Sequence, residues 1–385
     1  MGTMAKTLTA RRLVTGVGVI EYAVVRVGED GRIAEIFSDT SITGEEMLCS
    51  AFLDVHTHGA AGHDLMAATA EAVSGAGRFY ATKGVGSYLA TTLTAPMDAT
   101  LRSLEGLADA VERGSRPGEA TPVGIHIEGP FVSHAKKGMH PEEWILPPKV
   151  GAFERMWEAS RGAIRLMTIA PEAPGALKVI GRAVELGVRI SLGHTNATAA
   201  EARAGIAIAR RSGAAVSATH TFNAMRALDH REPGVLGVVL DDGEMYAELI
   251  CDGVHVAPEM VRMWLRMKGE ERTILVTDSM EAAGMPDGEY VLGGVPVHVA
   301  GGVCTTRSGV LAGSVLTMDR AVGRVREFTR CGLEVAVRMA SANPARMLGV
   351  SGIGEVRVGE WADLNRFDAG GRLVGTYLRG EAVGA

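Results

Sequence analysis

Two histidines one residue apart, His56 and His58, close an apolar run in "FLDVHTHGAAGHD", residues 52 to 64. In a β-strand residues i and i+2 share a face, so both imidazoles project side by side where the strand runs out into a loop. Such a pair suits a metal ion; the alternative is two hydrogen-bonded histidines at a strand end. Other ligand and acid/base side chains stand at the ends of later apolar runs: Glu128 in "HIEGPF", His194 in "LGHT", His220 in "ATHTFNAM" and Asp278 in "LVTDS". Any one of them alone could cap a turn. Together, a His, Glu and Asp set without a thiolate suits zinc, iron or manganese with an open position for water, which is the chemistry of hydrolysis. His126, two residues before Glu128, should share its face one layer deeper, as a hydrogen-bonded interior histidine. His63, His134, His230 and His298 carry no positional argument.

These side chains need a scaffold that gathers strand ends. From residue 51 short β-branched runs alternate with alanine-rich segments of helical period, the alternation of βα units around a parallel sheet. Eight strand candidates can be counted, at 51–56, 86–94, 123–128, 164–170, 188–194, 214–220, 246–252 and 273–278. Eight repeats fit an α/β fold of the (β/α)8 TIM-like barrel type, with a doubly wound open sheet as the alternative. In such barrels the site lies at the C-terminal ends of the strands, which is where the six candidate residues fall. Residues 9 to 38 read instead as strands, "RLVTGVGVI", "YAVVRVG" and "RIAEIFS", the last two joined by the hairpin signal Glu29-Asp30-Gly31. After the eighth strand come the β excursion "GEYVLGGVPVHVAGGVCTTRSGVLAGS", the helical "LTMDRAVGRVREFTR" and "LEVAVRMASANPARMLG", and a strand-like end. The expected organisation is a catalytic barrel over 51–349 and a small β-sandwich domain built from both chain ends, 1–50 and 350–385.

Composition narrows the function. A chain of 385 residues, 46% hydrophobic and 22% charged, can bury a large core. The net charge of -6 offers no basic field for nucleic acid or acidic lipid, so a small molecule is the expected partner. Cys49, Cys251, Cys304 and Cys331 are widely spaced without a CxxC pair, which fits a reducing cytoplasm. No apolar run approaches the roughly 18 residues that cross a bilayer.

The rim pattern HxH, Glu, His, His, Asp resembles the amidohydrolase superfamily. Within it "HIEGPF", "GMHP", "LGHTNA", "THTFNAM", "REPG", "CDGVHV", "LVTDS" and "LAGS" resemble the N-acetylglucosamine-6-phosphate deacetylases, a likeness that continues into "GEVRVGEWADL". The resemblance implies Glu128, His194 and His220 as ligands of the main metal, Asp278 as catalytic acid/base and His140 beside the acetyl group. It implies Asn223, Ala224, Leu311, Ala312 and Gly313 on the sugar, and Arg231 and His255 on the phosphate. It also implies a homodimer with the phosphate site at the subunit boundary, and a second ion held by His56, His58 and Asp278 where that site fills. The cofactor is then one or two divalent ions, zinc or iron, and the partner a phosphorylated amino sugar.

Read from the residues alone, these extra positions say less. Arg231 could be an exposed loop arginine, although guanidinium matches phosphate bidentately. His255 could be packed past a strand, and Asn223 could cap a turn. The reaction expected is hydrolysis of an acetamide, with Asp278 moving a proton and His140 supporting the oxyanion. The rivals are an amidohydrolase acting on a cyclic amide or N-acyl amino acid, and a non-catalytic sugar-phosphate sensor.

Overall fold

A computed structural model describes residues 6–384. The N-terminal strands are β1 (Lys6–Val14), β2 (Val19–Val27), β3 (Ile33–Ser38) and β4 (Met47–Ser50). "RLVTGVGVI", expected as one strand, is a hairpin instead: β1 and β2 pair antiparallel from Val14↔Val19. The Thr15 hydroxyl and the Thr15 N–H both donate to the Gly18 carbonyl, at 3.0 and 2.8 Å. In the turn Thr15-Gly16-Val17-Gly18 the hydroxyl adds a side-chain bond to the glycines that reverse the chain. The second turn forms where Asp30-Gly31 was expected to make it, with Gly31 at φ 79°.

The barrel strands follow as β5 (Phe52–Thr57), then, beyond the two-residue β6 (Gly59–Ala60) and β7 (His63–Asp64), β8 (Val85–Thr92), β9 (Thr121–Glu128), β10 (Ile164–Ile169), β11 (Arg189–Leu192), β12 (Val216–Ala218), β13 (Tyr246–Ile250) and β14 (Thr273–Val276). They form one eight-stranded sheet, consecutive neighbours all parallel, in the order β14-β13-β12-β11-β10-β9-β8-β5. All eight expected strands are present, and the (β/α)8 reading holds. Near-continuous burial along them reflects a sheet covered on both faces.

The sheet closes through its rim. β14 and β5 are joined by the Asp278 N–H donating to the His56 carbonyl at 2.8 Å and the His58 N–H to the Ser279 carbonyl at 2.7 Å. Below, the buried Asp54 carboxylate accepts from the Thr277 hydroxyl at 2.5 Å and the Thr277 N–H at 3.4 Å.

Two helices were not read from the sequence, Gly234–Asp241 and Pro258–Lys268, and "LEVAVRMASANPARMLG" is two helices, Leu333–Met339 and Ala342–Leu348, broken at Ser341. The β excursion is a three-stranded meander, β15 (Gly288–Leu292), β16 (Val295–Ala300) and β17 (Val303–Thr306). It packs on the rim through an apolar cluster of Leu93, Met280, Leu292, Val297 and Ala312.

The chain ends in β18 (Leu364–Phe367), β19 (Leu373–Leu378) and β20 (Glu381–Ala382), which join the first four strands in one sheet, β20-β19-β18-β4-β1-β2-β3. The sheet curls on itself, since the Ile33 N–H donates to the Glu360 carbonyl at 2.8 Å, and Leu13, Val25, Ile33, Leu48 and Leu364 share one core. Its contact with the barrel runs through Phe367, whose ring centroid lies 6.3 Å from that of Phe52, and through the Asn365 amide, which donates to the Gly84 carbonyl at 2.8 Å. Both rings are fully buried. Phe367→Ala should therefore cost about 3–5 kcal/mol, read as a lower urea midpoint with an unchanged slope.

Candidate metal centre and substrate pocket

Each candidate ligand sits at a strand's C-terminal end, and three of them, His194, His220 and Asp278, have φ of 45°, 26° and 48°. Left-handed backbone at residues with a Cβ costs free energy and persists only where surrounding contacts impose it. Here the turn out of the strand lifts each side chain over the barrel mouth. The Ser133 N–H donates to the His194 carbonyl and the Ser314 N–H to the Asp278 carbonyl, at 2.8 and 2.7 Å.

Two donor groups result, one of His56, His58 and Asp278 and one of Glu128, His194 and His220, all buried. Glu128 stands between them. Its Oε1 lies 3.1 Å from Nε2 of His220 and 3.3 Å from Nε2 of both His194 and His56, while Oε2 lies 3.4 Å from Nε2 of His58. Asp278 Oδ1 is 3.1 Å from Nε2 of His58. Burial opposes charge on His56, His58, Glu128 and Asp278. Even so, Glu128 and Asp278 hold His56 well above the ordinary imidazole range and His58 at about 9, and the imidazoles hold both carboxyls well below theirs.

The donor set tests whether a cation fits. Nδ1 of His56 faces the Glu248 carboxylate at 3.0 Å, Nδ1 of His58 the Thr91 carbonyl at 3.3 Å and Nδ1 of His194 the Lys136 carbonyl at 3.0 Å. Each Nδ1 therefore donates, and in a neutral ring Nε2 then carries a lone pair. Yet Nε2 of His56 lies 3.2 Å from Nε2 of His58, so two lone pairs would face each other there; Nε2 of His194 lies 3.0 Å from that of His220, whose Nδ1 has no partner. Facing lone pairs need positive charge between them, which ring protons supply on His56 and His58 and which an ion can replace: neighbouring ligand atoms around a tetrahedral ion with bonds of about 2.0–2.1 Å have a similar spacing. The residues fit a divalent ion.

These groups open into a cavity of about 220 Å³ lined by His58, Glu128, His140, His194, His220, Asn223, Ala224, His255, Asp278, Leu311 and Gly313. Most of the sequence candidates are thus brought together. Ala312 lies behind the lining, fully buried in the apolar cluster under the meander. Arg231 is exposed on the 229–232 loop and is outside the lining. His126 is interior, with Nε2 2.7 Å from the Thr168 hydroxyl. Leu93, Met139, Leu292 and Val310 complete the walls and were not read from the sequence. Only their position past a strand end or in the meander marks them, and apolar residues there look like any core residue. Gly138, at φ 59°, lets the 133–140 loop approach the His194 ring, 3.1 Å from where a Cβ would stand.

His140 is buried, with Nδ1 2.8 Å from the Thr94 hydroxyl and 3.4 Å from its N–H, and burial together with His194 pushes its pKa down to about 3. A neutral ring that accepts at Nδ1 keeps its proton on Nε2, which lies 3.7 Å from Glu128 Oε2. His255 is held by Asp252, whose carboxylate accepts from Nδ1 at 2.7 Å and from the His255 N–H at 2.8 Å.

Comparison with known proteins places the chain in a family. The pattern of the amidohydrolase family matches residues 47–383. The chain belongs to the amidohydrolase family. Among curated relatives, the N-acetylgalactosamine-6-phosphate deacetylase of Escherichia coli O157:H7 is 38% identical over 98% of this chain and 99% of its own. The N-acetylglucosamine-6-phosphate deacetylase of Lysinibacillus sphaericus is 38% identical over 87% of each. Among solved structures, an Asp→Ala variant of the N-acetyl-D-glucosamine-6-phosphate deacetylase of Mycobacterium smegmatis, in complex with N-acetyl-D-glucosamine 6-phosphate, is 33% identical and covers 100% of both chains with a TM-score of 0.92.

As an amidohydrolase, the chain should take up a divalent ion in the groups described. An ion at about 100 times its Kd stabilises by about 2.7 kcal/mol, so adding zinc or iron(II) to stripped protein should raise Tm, and a chelator should reverse the rise. A Tm indifferent to both would remove the metal from the site.

Proposed function

We propose that this chain hydrolyses the acetamide of N-acetylglucosamine 6-phosphate, giving glucosamine 6-phosphate and acetate. The observation that carries the reading is the meeting of two buried donor groups on Glu128 with Asp278 facing the same cavity. Glu128, His194 and His220 would hold the main ion, zinc or iron, and His56, His58 and Asp278 a second. When bound, such an ion acidifies a water from about 15.7 towards about 7 and polarises a carbonyl.

The protein's own groups supply the remainder. Asp278, an ionised carboxylate beside the cavity, accepts the proton of the attacking water and passes it to the amine, without which an amide nitrogen leaves poorly. His140, neutral with its proton on Nε2, donates to the acyl oxygen as negative charge develops there. Asn223, Ala224, Leu311 and Gly313 line the sugar, with Ala312 supporting them from the core.

The phosphate requires a cation. Among the described residues no Lys or Arg lines the cavity, and His255 is the one side chain there assigned to phosphate. Arg231 is exposed, which suits delivery from a second copy of the chain in a homodimer. A second reading, the galacto epimer as substrate, is favoured by one observation, the 38% identity to the Escherichia coli N-acetylgalactosamine-6-phosphate deacetylase over nearly the whole chain. The cytoplasm is the proposed setting. It is in keeping with four unpaired cysteines, and no helix among the described residues is long and apolar enough to cross a membrane.

Acetate release by metal-loaded protein should be measured with N-acetylglucosamine 6-phosphate, N-acetylgalactosamine 6-phosphate and unphosphorylated N-acetylglucosamine, with a chelator control. Chelator-sensitive turnover confined to the phosphosugars is expected; equal turnover of the unphosphorylated sugar would refute the phosphate reading. Asp278→Asn should abolish turnover while the phosphosugar still binds. Arg231→Ala removes a charge-assisted contact of roughly 1.5–3 kcal/mol, so kcat/KM for the phosphosugar should fall about 10- to 150-fold. The unphosphorylated sugar should be little affected.

A further inference from the structure

Glu248 lies in β13 one layer below the cavity and has no solvent exposure. It belongs to neither donor group and does not line the cavity. No Lys or Arg pairs with it among the described residues; its ion-pair partner is His56. Burying a carboxylate without a cationic side chain is costly, so the position calls for a reason beyond packing.

That reason is visible in one oxygen. Oε2 accepts from Nδ1 of His56 at 3.0 Å and from the backbone N–H of His220 at 3.0 Å, whereas Oε1 has no partner. His56 and His220 belong to different donor groups. The other rings are held less strongly, His58 and His194 by neutral carbonyls, and Nδ1 of His220 by nothing. A carboxylate on Nδ1–H selects the tautomer, sets the ring's orientation and raises the basicity of Nε2. The same oxygen also braces His220 at its strained φ of 26°.

We propose that Glu248 is a positioning residue that aims and strengthens His56 as a metal donor and couples the two donor groups through a single carboxylate oxygen. This rests on the metal-dependent reading of the site. It acts without touching substrate, through the ligands alone.

Glu248→Gln keeps the volume and one acceptor oxygen and removes the charge. Glu248→Met keeps the length and removes both hydrogen bonds. Stripped wild-type and variant proteins should be titrated with zinc against a competing chelator, with kcat and KM measured at limiting and excess metal. The expected result for Glu248→Gln is zinc affinity about 10- to 100-fold weaker, with KM for the phosphosugar unchanged and turnover largely restored by excess zinc. The melting temperature of the stripped variant should be no lower than that of the stripped wild type. Glu248→Met should lose more affinity than Glu248→Gln. Zinc affinity within twofold of wild type would overturn the proposal. So would a turnover loss that excess zinc leaves in place, or failure of both variants to fold, either of which would make Glu248 structural. Absence of zinc binding by the wild type would overturn the metal reading itself, and that shows before any variant is compared.

Discussion

The barrel closes on the residues that carry its chemistry. β14 and β5 meet not through a long ladder but through main-chain hydrogen bonds at Asp278, His56, His58 and Ser279, with the Asp54 carboxylate pinning Thr277 below. Parallel strands in a closed barrel must be staggered, so the last seam is where register is set by the fewest bonds. Placing metal donors there makes ion binding and seam closure support each other. An ion bound between His58 and Asp278 would tie the two edges of the sheet from above, as Asp54 ties them from below.

The same arrangement explains how Glu128 and Asp278 tolerate burial. Neither has a Lys or Arg partner among the described residues; both face imidazoles only. Imidazole is a poor permanent counter-ion, since burial disfavours its charged form. The carboxylates nonetheless hold His56 and His58 in that form, and a divalent ion, when bound, would take over the charge from those protons. The negative field is therefore part of the function. A hydrophobic core at this height would be more stable and would bind nothing.

The strand ends were legible because alternation, β-branched runs and ligand side chains coincide at His56, Glu128, His194, His220 and Asp278. The buried strands left a strong signal because both faces are covered. The helix Gly234–Asp241 did not, since "GVLGVVLD" is short and rich in valine, a composition that favours strands and is overruled here by packing on the barrel. The break at Ser341 and the turn at Thr15 depend on local hydroxyl bonds, Ser341 to the Val337 carbonyl and Thr15 to Gly18, that no periodicity reveals. Leu93 and Leu292 were invisible for a different reason: a cavity wall uses the same residue types as a core. Arg231 was placed on the phosphate by resemblance alone, and in one chain it is exposed and outside the cavity lining.

The left-handed backbone at His194, His220 and Asp278 shows what positioning costs in this fold. A strand delivers side chains alternately inward and outward, and by itself would send a terminal residue along the barrel axis. Turning the chain at the ligand itself redirects the Cβ over the mouth, where imidazoles from the ends of three strands, β5, β11 and β12, converge on the oxygen pair of Glu128. The strain is held by bonds that come from elsewhere in the chain: Ser133 to His194, Glu248 to His220, Ser314 to Asp278. Each brace arrives from a neighbouring loop or strand, so the site is assembled only when the whole rim is. Geometry at the ligands thus depends on the cooperativity of the barrel, which is why a metal centre of this kind sits on a closed sheet and not on a single motif.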